Sequence, residues 1–256
     1  MKHKIEIRID GIAAAASPGE TILEVAKRLG IEIPALCYHK AFGGQGICRM
    51  CTVEVKTGDR ARLVASCTYP ITEEIEVKTS TPEVEEIRRN IVMLLYRRAP
   101  NSEFMKKLYA EYGRPGDITP ASAEERCIMC RLCVRACEQV GASAISAVFR
   151  GTEKRVSTPY DEASPDCIGC GACAQVCPTG AIEVTQREGE HVIWNKTLAP
   201  ARCEVCGRAY TAETLVNHVK ERLGSDFSQK QPEERLCPAC RKRRAGRALV
   251  DHLIKK

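Results

Sequence analysis

The 16 cysteines among 256 residues are the groups best suited to chemistry, and their spacing sorts them into sets. One pattern occurs twice: Cys127-x2-Cys130-x2-Cys133-x3-Cys137 recurs as Cys167-x2-Cys170-x2-Cys173-x3-Cys177-Pro178. Thiolates are soft ligands that suit iron, and a C-x2-C-x2-C loop wraps three sulfurs around one [4Fe–4S] cubane. Where two such runs occur together, the fourth cysteine of each ligates the other cluster. On that rule Cys127, Cys130, Cys133 and Cys177 hold a first cubane, and Cys137, Cys167, Cys170 and Cys173 a second. Zinc sites usually lack the third closely spaced cysteine. Gly169 and Gly171 leave backbone N–H groups free to approach sulfur, which tunes a cluster's potential.

The N-terminal set is Cys37-x10-Cys48-x2-Cys51-x15-Cys67. It departs from the plant-type C-x4-C-x2-C spacing in its first gap. The loop Gly43-Gly44-Gln45-Gly46 can wrap an inorganic core, so these four cysteines read as [2Fe–2S] ligands. The same glycines lack the strand–turn–helix setting of a dinucleotide loop. The last set, Cys203-x2-Cys206 and Cys237-x2-Cys240, has the form of a four-cysteine zinc site. A third [4Fe–4S] cluster or a rubredoxin-like single iron remains open there, since four thiolates suit any of them. His39 beside Cys37 reads as a surface residue, because a Rieske-type site needs two histidines. His218 and His252 are spare, because four cysteines already complete a tetrahedron.

Clustered C-x-x-C pairs in a chain without a signal-like N-terminus point to metal in a cytoplasmic setting rather than to disulfides. No apolar run is long enough for a transmembrane helix. The formal charge of +6 counts every cysteine as neutral. Each filled four-thiolate site adds about two negative charges, so the loaded protein is nearly neutral. That weakens a nucleic-acid reading drawn from Arg241-Lys242-Arg243-Arg244, a run that reads as a solvated helix face.

The elements that must position these sulfurs follow from periodicity. Residues 4–10 alternate apolar and charged, as a half-buried strand does. Thr21 opens a helix with Ile22, Val25, Ala26 and Leu29 on one face, and Gly30 ends it. Further strands are expected at 52–55 and 75–77. Thr81-Pro82-Glu83 starts another helix, with Val84, Ile87, Ile91, Leu94 and Leu95 as its apolar stripe. A second helix runs to about Tyr112. Neither holds Cys or His, so this stretch binds no cluster. An amphipathic segment from Thr211 to Leu223 separates the last two cysteine pairs. The organisation is therefore α+β. A [2Fe–2S] domain spans 1–79, a helical linker 80–120 and a twin-cubane domain 121–188. A small four-cysteine module with a basic helical tail fills 189–256.

The cluster loop from Cys37 to Val55 resembles the first loop of the large iron–sulfur subunit of NADH:quinone oxidoreductase. It is also similar to loops of iron-only hydrogenases and of the small diaphorase subunit of NAD-linked [NiFe] hydrogenases. The stretch Arg126 to Glu138, then Phe149-Arg150-Gly151, Thr158-Pro159-Tyr160-Asp161 and Asp166 to Ala181, resembles the twin-cluster domain of the same proteins. The resemblance covers about 1–185 and implies a β-grasp ferredoxin-like N-terminal domain. Residues 81–115 look like the shell of the family's His-plus-three-Cys cluster domain without its ligands, which shortens the wire by one site. Residues 202–244 resemble the four-cysteine tail of iron–sulfur subunits from formate hydrogenlyase-like complexes. What this implies is a non-catalytic electron-transfer subunit. It would stand between a flavin-bearing, NAD(P)H-oxidising partner and a second redox subunit: a hydrogenase, a formate dehydrogenase or a bifurcating complex that uses ferredoxin. A free ferredoxin-like shuttle is the alternative.

Overall fold

The computed structural model describes residues 4–114, 124–187, 190–230 and 235–254. The chain divides into two compact units, Met1–Ala136 with Val176–Ala181, and Cys137–Gln175 with Ile182–Lys256. The expected boundaries near 120 and 188 lie outside the described residues. Among the described residues no helix is long and apolar enough to cross a membrane.

The first unit opens with strands β1 (Ile5–Ile9) and β2 (Ile12–Ala16), then helix α1 (Ile22–Arg28). Strands β3 (Thr52–Thr57), β4 (Arg60–Ala65) and β5 (Ile75–Lys78) complete a five-stranded sheet in the order β2-β1-β5-β3-β4. β1 pairs with β5 in parallel, and the other pairings are antiparallel. β1, β3 and β5 are the strands expected at 4–10, 52–55 and 75–77, the expected helix α1 packs on the sheet, and β2 and β4 add to it. The alternation of β1 puts Ile7 and Ile9 inward, against Ile22, Leu23, Val25 and Ala26 of α1 and Val53, Val55 and Val77 of the sheet. Each such side chain contributes about 1.5–3 kcal/mol by leaving water. Thr21 and Glu24 form a reciprocal capping box at the start of α1.

Helices α2 (Pro82–Arg98) and α3 (Glu103–Tyr112) follow. Thr81 caps α2 by accepting the Val84 N–H at 3.3 Å. The buried face of α2 overlaps the expected stripe: Val84 is buried and Ile91 and Leu95 pack against the core, but Arg88 and Val92 are buried with them and Leu94 is 68% exposed. An arginine lies on that face because it has acceptors there. Its Nε donates to the Met50 carbonyl at 3.2 Å and its Nη2 to that of Thr52 at 3.0 Å. The helix thereby holds the chain where it leaves Cys51 for β3. Arg88→Ala orphans two buried carbonyls and should cost about 3 kcal/mol, read as a lower thermal midpoint of the anaerobic holoprotein. An unchanged midpoint would mean these bonds add no stability.

Helix α4 (Leu132–Gln139) carries Cys133 and Cys137 about one turn apart. The second unit contains the hairpin β6 (Ser146–Val148) and β7 (Arg155–Ser157), then the short helix α5 (Ala172–Gln175). A three-stranded sheet joins β8 (Thr185–Arg187), β9 (Glu190–Ile193) and β10 (Lys196–Leu198). The pair β11 (Pro200–Arg202) and β12 (Ala209–Ala212) leads into α6 (Glu213–Lys230), and α7 (Pro238–Ile254) closes the chain. The basic run 241–244 lies exposed on α7 as expected. Leu215 and Val219 are half-buried on α6, and the side chain of Leu223 lies outside the description.

Candidate metal centres

None of the 16 cysteines is in a disulfide. In the N-terminal set Cys37 follows α1, Cys48 and Cys51 lead into β3, and Cys67 follows β4. The β3–β4 hairpin brings Cys51 and Cys67 together, and Ser66 locks them by donating its N–H and its hydroxyl to the Cys51 carbonyl at 3.1 and 2.8 Å. The Cys48 N–H donates to Cys37 Sγ at 3.5 Å. The neighbouring Cys48 thiol holds the Cys37 thiol below its ordinary value, and Cys67 does the same to Cys51. Cys37 in turn pushes the Cys48 and Cys67 thiols up. Four thiols set this close form a cradle suited to a cluster. Gly44 belongs to that cradle, because a Cβ there would stand 2.4 Å from the Cys67 carbonyl oxygen and 2.8 Å from its Sγ. Gly44→Ala should cost about 2 kcal/mol by overpacking and empty this site, read as loss of its paramagnetic signal with the others intact. Retention of the signal would mean the loop moves aside. His39 is partly exposed, as a surface residue would be: its ring stacks on Phe42, and Nδ1 accepts the Ala41 N–H at 3.2 Å.

The two repeated runs share a backbone shape. Met129 and Arg131 have φ of 56° and 61°, and Gly169 and Gly171 at the matching positions each have 70°. The left-handed turns aim successive N–H groups inward, as anion-binding nests do. Glycine adopts them freely, while the first run holds them with ordinary residues. The Met129 N–H donates to Cys127 Sγ at 3.4 Å, that of Ala181 to Cys177 Sγ at 3.3 Å, and that of Ala144 to Cys137 Sγ at 3.2 Å. At Cys127 and Cys137 burial outweighs these bonds and pushes the thiols above their ordinary value.

The two compact units divide the cysteines of the repeated runs between them. Val176–Ala181, with Cys177, packs in the first unit beside Cys127, Cys130 and Cys133. Cys137 packs in the second with Cys167, Cys170 and Cys173. Burial pushes the Cys130 thiol up to about 11, with the Cys177 and Cys127 sulfurs adding to it. Cys137, Cys167, Cys170 and Cys173 line one cavity with Ile193 and Trp194. Burial pushes the Cys173 thiol up to about 11 there.

The sulfurs of Cys203, Cys206, Cys237 and Cys240 all lie within 4.8 Å of one another, so this set can hold one metal ion. The Cys237 N–H, first among several donors, lowers the Cys203 thiol to about 6. Cys206 pushes Cys240 up to about 12. Gly207, with φ of 68°, turns the chain after Cys206.

Three side chains escape any reading of cysteine spacing. Gln45 donates through Nε2 to the carbonyls of Cys37 at 3.4 Å and Cys130 at 3.2 Å, which joins the first cluster loop to the first cubane loop. Trp194 and Lys196 border the second cubane cavity or its loop. The available hint was that Trp194 is the chain's one tryptophan.

Residues 2–82 match the model of a 2Fe-2S iron–sulfur cluster binding domain. Residues 121–185 match a 4Fe-4S dicluster domain, and 166–212 match another dicluster model. The chain is 30% identical over 203 residues to the NADH-ubiquinone oxidoreductase 75 kDa subunit of Reclinomonas americana, covering 70% of this chain and 29% of that protein. It is 32% identical over 214 residues to NADP-reducing hydrogenase subunit HndD of Solidesulfovibrio fructosivorans, covering 70% and 36%. Over 250 residues it is 29% identical to NADPH-Fe(3+) oxidoreductase subunit alpha of Geobacter sulfurreducens, covering 88% and 29%. The chain thus spans only about a third of these relatives' length. A crystal structure of NAD+-reducing [NiFe]-hydrogenase in the H2-reduced state contains a chain that superposes with a TM-score of 0.59 at 26% identity, covering 69% of this chain and 86% of that one. By its domains and relatives this is an iron–sulfur protein, with a 2Fe-2S cluster binding domain ahead of 4Fe-4S dicluster domains, similar to subunits of NAD(P)-linked oxidoreductases and hydrogenases.

Proposed function

We propose that this chain relays single electrons inside an oxidoreductase complex and performs no bond chemistry of its own. An iron–sulfur cluster, when bound, supplies one-electron transfer. The chain's own residues do the rest. Cys37, Cys48, Cys51 and Cys67 would hold the [2Fe–2S] cluster. Cys127, Cys130, Cys133 and Cys177 would hold the first cubane, and Cys137, Cys167, Cys170 and Cys173 the second. The observation that carries this reading is Gln45, whose amide ties the Cys37 and Cys130 carbonyls. Cys37 and Cys130 also share one buried apolar core with Met50, Ile128 and Leu132. The [2Fe–2S] set and the first cubane set are thus neighbours without the family's extra His-plus-three-Cys site between them.

The relatives are named as NAD(P)-linked oxidoreductase and hydrogenase proteins, which supports an NAD(P)H-linked partner; we propose that this partner carries a flavin and that the second redox subunit is a hydrogenase or formate dehydrogenase. The reading places the complex in a reducing cytoplasm, where clustered thiols stay unoxidised. At the C-terminal set we favour a structural Zn2+ on four thiolates. A third cubane is the second reading, because one dicluster match runs on to 212 and so takes in Cys203 and Cys206.

The test is anaerobic purification of the full-length tagged chain from its own host, followed by addition of NADH and then NADPH. A flavoprotein and a further redox subunit should co-purify, and one nicotinamide should bleach the assembly while the separated chain stays coloured. A chain that emerges alone and exchanges electrons only with ferredoxin would replace this reading with that of a free shuttle.

A further inference from the structure

The turn between β9 and β10 is built against local preference. Ile193 pairs with Lys196, so Trp194 and Asn195 alone make the turn, with φ of 51° and 58°. Two-residue hairpin turns of this hand favour Asn-Gly or Asp-Gly, because both positions need positive φ. A tryptophan there is strained, and such strain persists only where its surroundings hold it in place.

Three neighbouring side chains show what holds it. The Trp194 ring lines the cavity of Cys137, Cys167, Cys170 and Cys173. Its Nε1 is buried and has no hydrogen-bond partner among the described residues. Asn195 Nδ2 donates to the Asp161 carbonyl at 3.3 Å. Lys196 Nζ donates to three carbonyls, those of Ser164 at 2.8 Å, Pro165 at 2.9 Å and Cys167 at 2.8 Å. An ammonium has three protons, so all its donors are committed to the segment that leads into the second cubane loop. The hairpin therefore delivers two things to one site: an unsatisfied N–H inside the cavity and a fixed positive charge directly behind Cys167.

A buried N–H without a partner costs about 1–3 kcal/mol, so the fold keeps it for a reason. A sulfur seated among the four thiols is the acceptor it lacks. Hydrogen bonds to cluster sulfur and nearby charge are established levers on cluster potential.

We propose that Trp194 and Lys196 are positioning residues that raise the reduction potential of the second cubane, Trp194 through its indole N–H and Lys196 through its charge. Reduction adds one electron to the cluster, and both groups favour the more negative state. The idea rests on the ligand assignment of Cys137, Cys167, Cys170 and Cys173. The bland alternative is that Trp194 only fills space and Lys196 only staples a loop.

The test is a dithionite titration with redox mediators, followed by electron paramagnetic resonance, on the full-length anaerobic holoprotein. The variants are Trp194→Phe, which keeps the ring and loses the N–H, Lys196→Met, and Lys196→Arg as the charge-keeping control. Iron content is measured on each. One cubane signal should move to lower potential in Trp194→Phe, by about tenfold in its reduced-to-oxidised ratio at fixed potential. The same signal should move in Lys196→Met and return toward the parent value in Lys196→Arg. The [2Fe–2S] signal and the other cubane should stay in place. If Lys196→Met loses iron, Trp194→Phe decides alone. Parent protein with two cubanes and a Trp194→Phe variant of unchanged potential overturns this inference and spares the relay. Parent protein that never assembles two cubanes overturns the relay itself.

Discussion

Cys177→Ser is expected to remove the cubane of Cys127, Cys130 and Cys133 and to spare that of Cys167, Cys170 and Cys173, although Cys177 belongs by sequence to the second run. The packing is the reason. Val176–Ala181 folds with the first unit, and Ala181 donates its N–H to Cys177 Sγ there. Cys137→Ser should do the reverse, since Cys137 packs in the second unit and lines the cavity of the later cysteines. Each variant should lose about four iron atoms per chain and one cubane signal. To tell the two apart, each is combined with Trp194→Phe. The potential shift expected of that change should survive beside Cys177→Ser and vanish beside Cys137→Ser. If Cys177→Ser instead abolishes the cubane that responds to Trp194, the crossed ligation is wrong and each run holds its own cluster.

The second large effect belongs to the C-terminal set. Cys237→Ser should release its metal and open the module past residue 200 to proteolysis, with the other clusters' signals unchanged. Among the described residues this module's buried apolar cluster is small, Cys203, Leu236, Cys237 and Cys240 with Tyr210 packed against it. A structural zinc contributes about 10–16 kcal/mol of apparent binding free energy at neutral pH, which a core of that size cannot replace. The pH dependence has a definite sign. The Cys237 N–H and other donors hold Cys203 at about 6, below the usual thiol value. Its thiolate is therefore favoured in the folded protein, and that contribution is lost as pH falls through about 6. Cys240, raised to about 12 chiefly by Cys206, keeps its proton in the metal-free set and must give it up to the metal. Metal binding should thus release protons and weaken with acid. Zinc and iron assays across pH 5–8 would check this. Iron in place of zinc, with an added paramagnetic signal, would make the site a further cubane.

Much of this architecture was legible in the cysteines, because each cluster loop is local and its spacing is fixed by the geometry of the metal group. The capped starts of α1 and α2 were equally plain, since Thr21 and Thr81 carry their signals within one turn. Strands β2 and β4 were not. They are the two edges of the sheet, and Ile-Ala-Ala-Ala-Ala and Arg-Ala-Arg-Leu-Val-Ala show no clean alternation. An edge strand is paired on one side only and tolerates small or charged residues. The stripe expected on α2 was right at Val84, Ile91 and Leu95 but left out Arg88, which looks solvent-facing by type yet finds two backbone acceptors inside. Gln45 escaped for a related reason. Its partners Cys37 and Cys130 are distant in sequence, so no local pattern marks the contact. Trp194 and Lys196 lie beyond the cysteine repeat in a hairpin of weak pattern, and only the fold brings them to the second cubane set.

The most direct measurement is an iron and sulfide assay on anaerobically purified full-length protein, paired with its paramagnetic spectrum after dithionite. The expected result is about ten iron atoms per chain, with signals from one [2Fe–2S] and two [4Fe–4S] centres. Colourless protein that carries zinc at every cysteine set and stays silent after reduction would contradict the account.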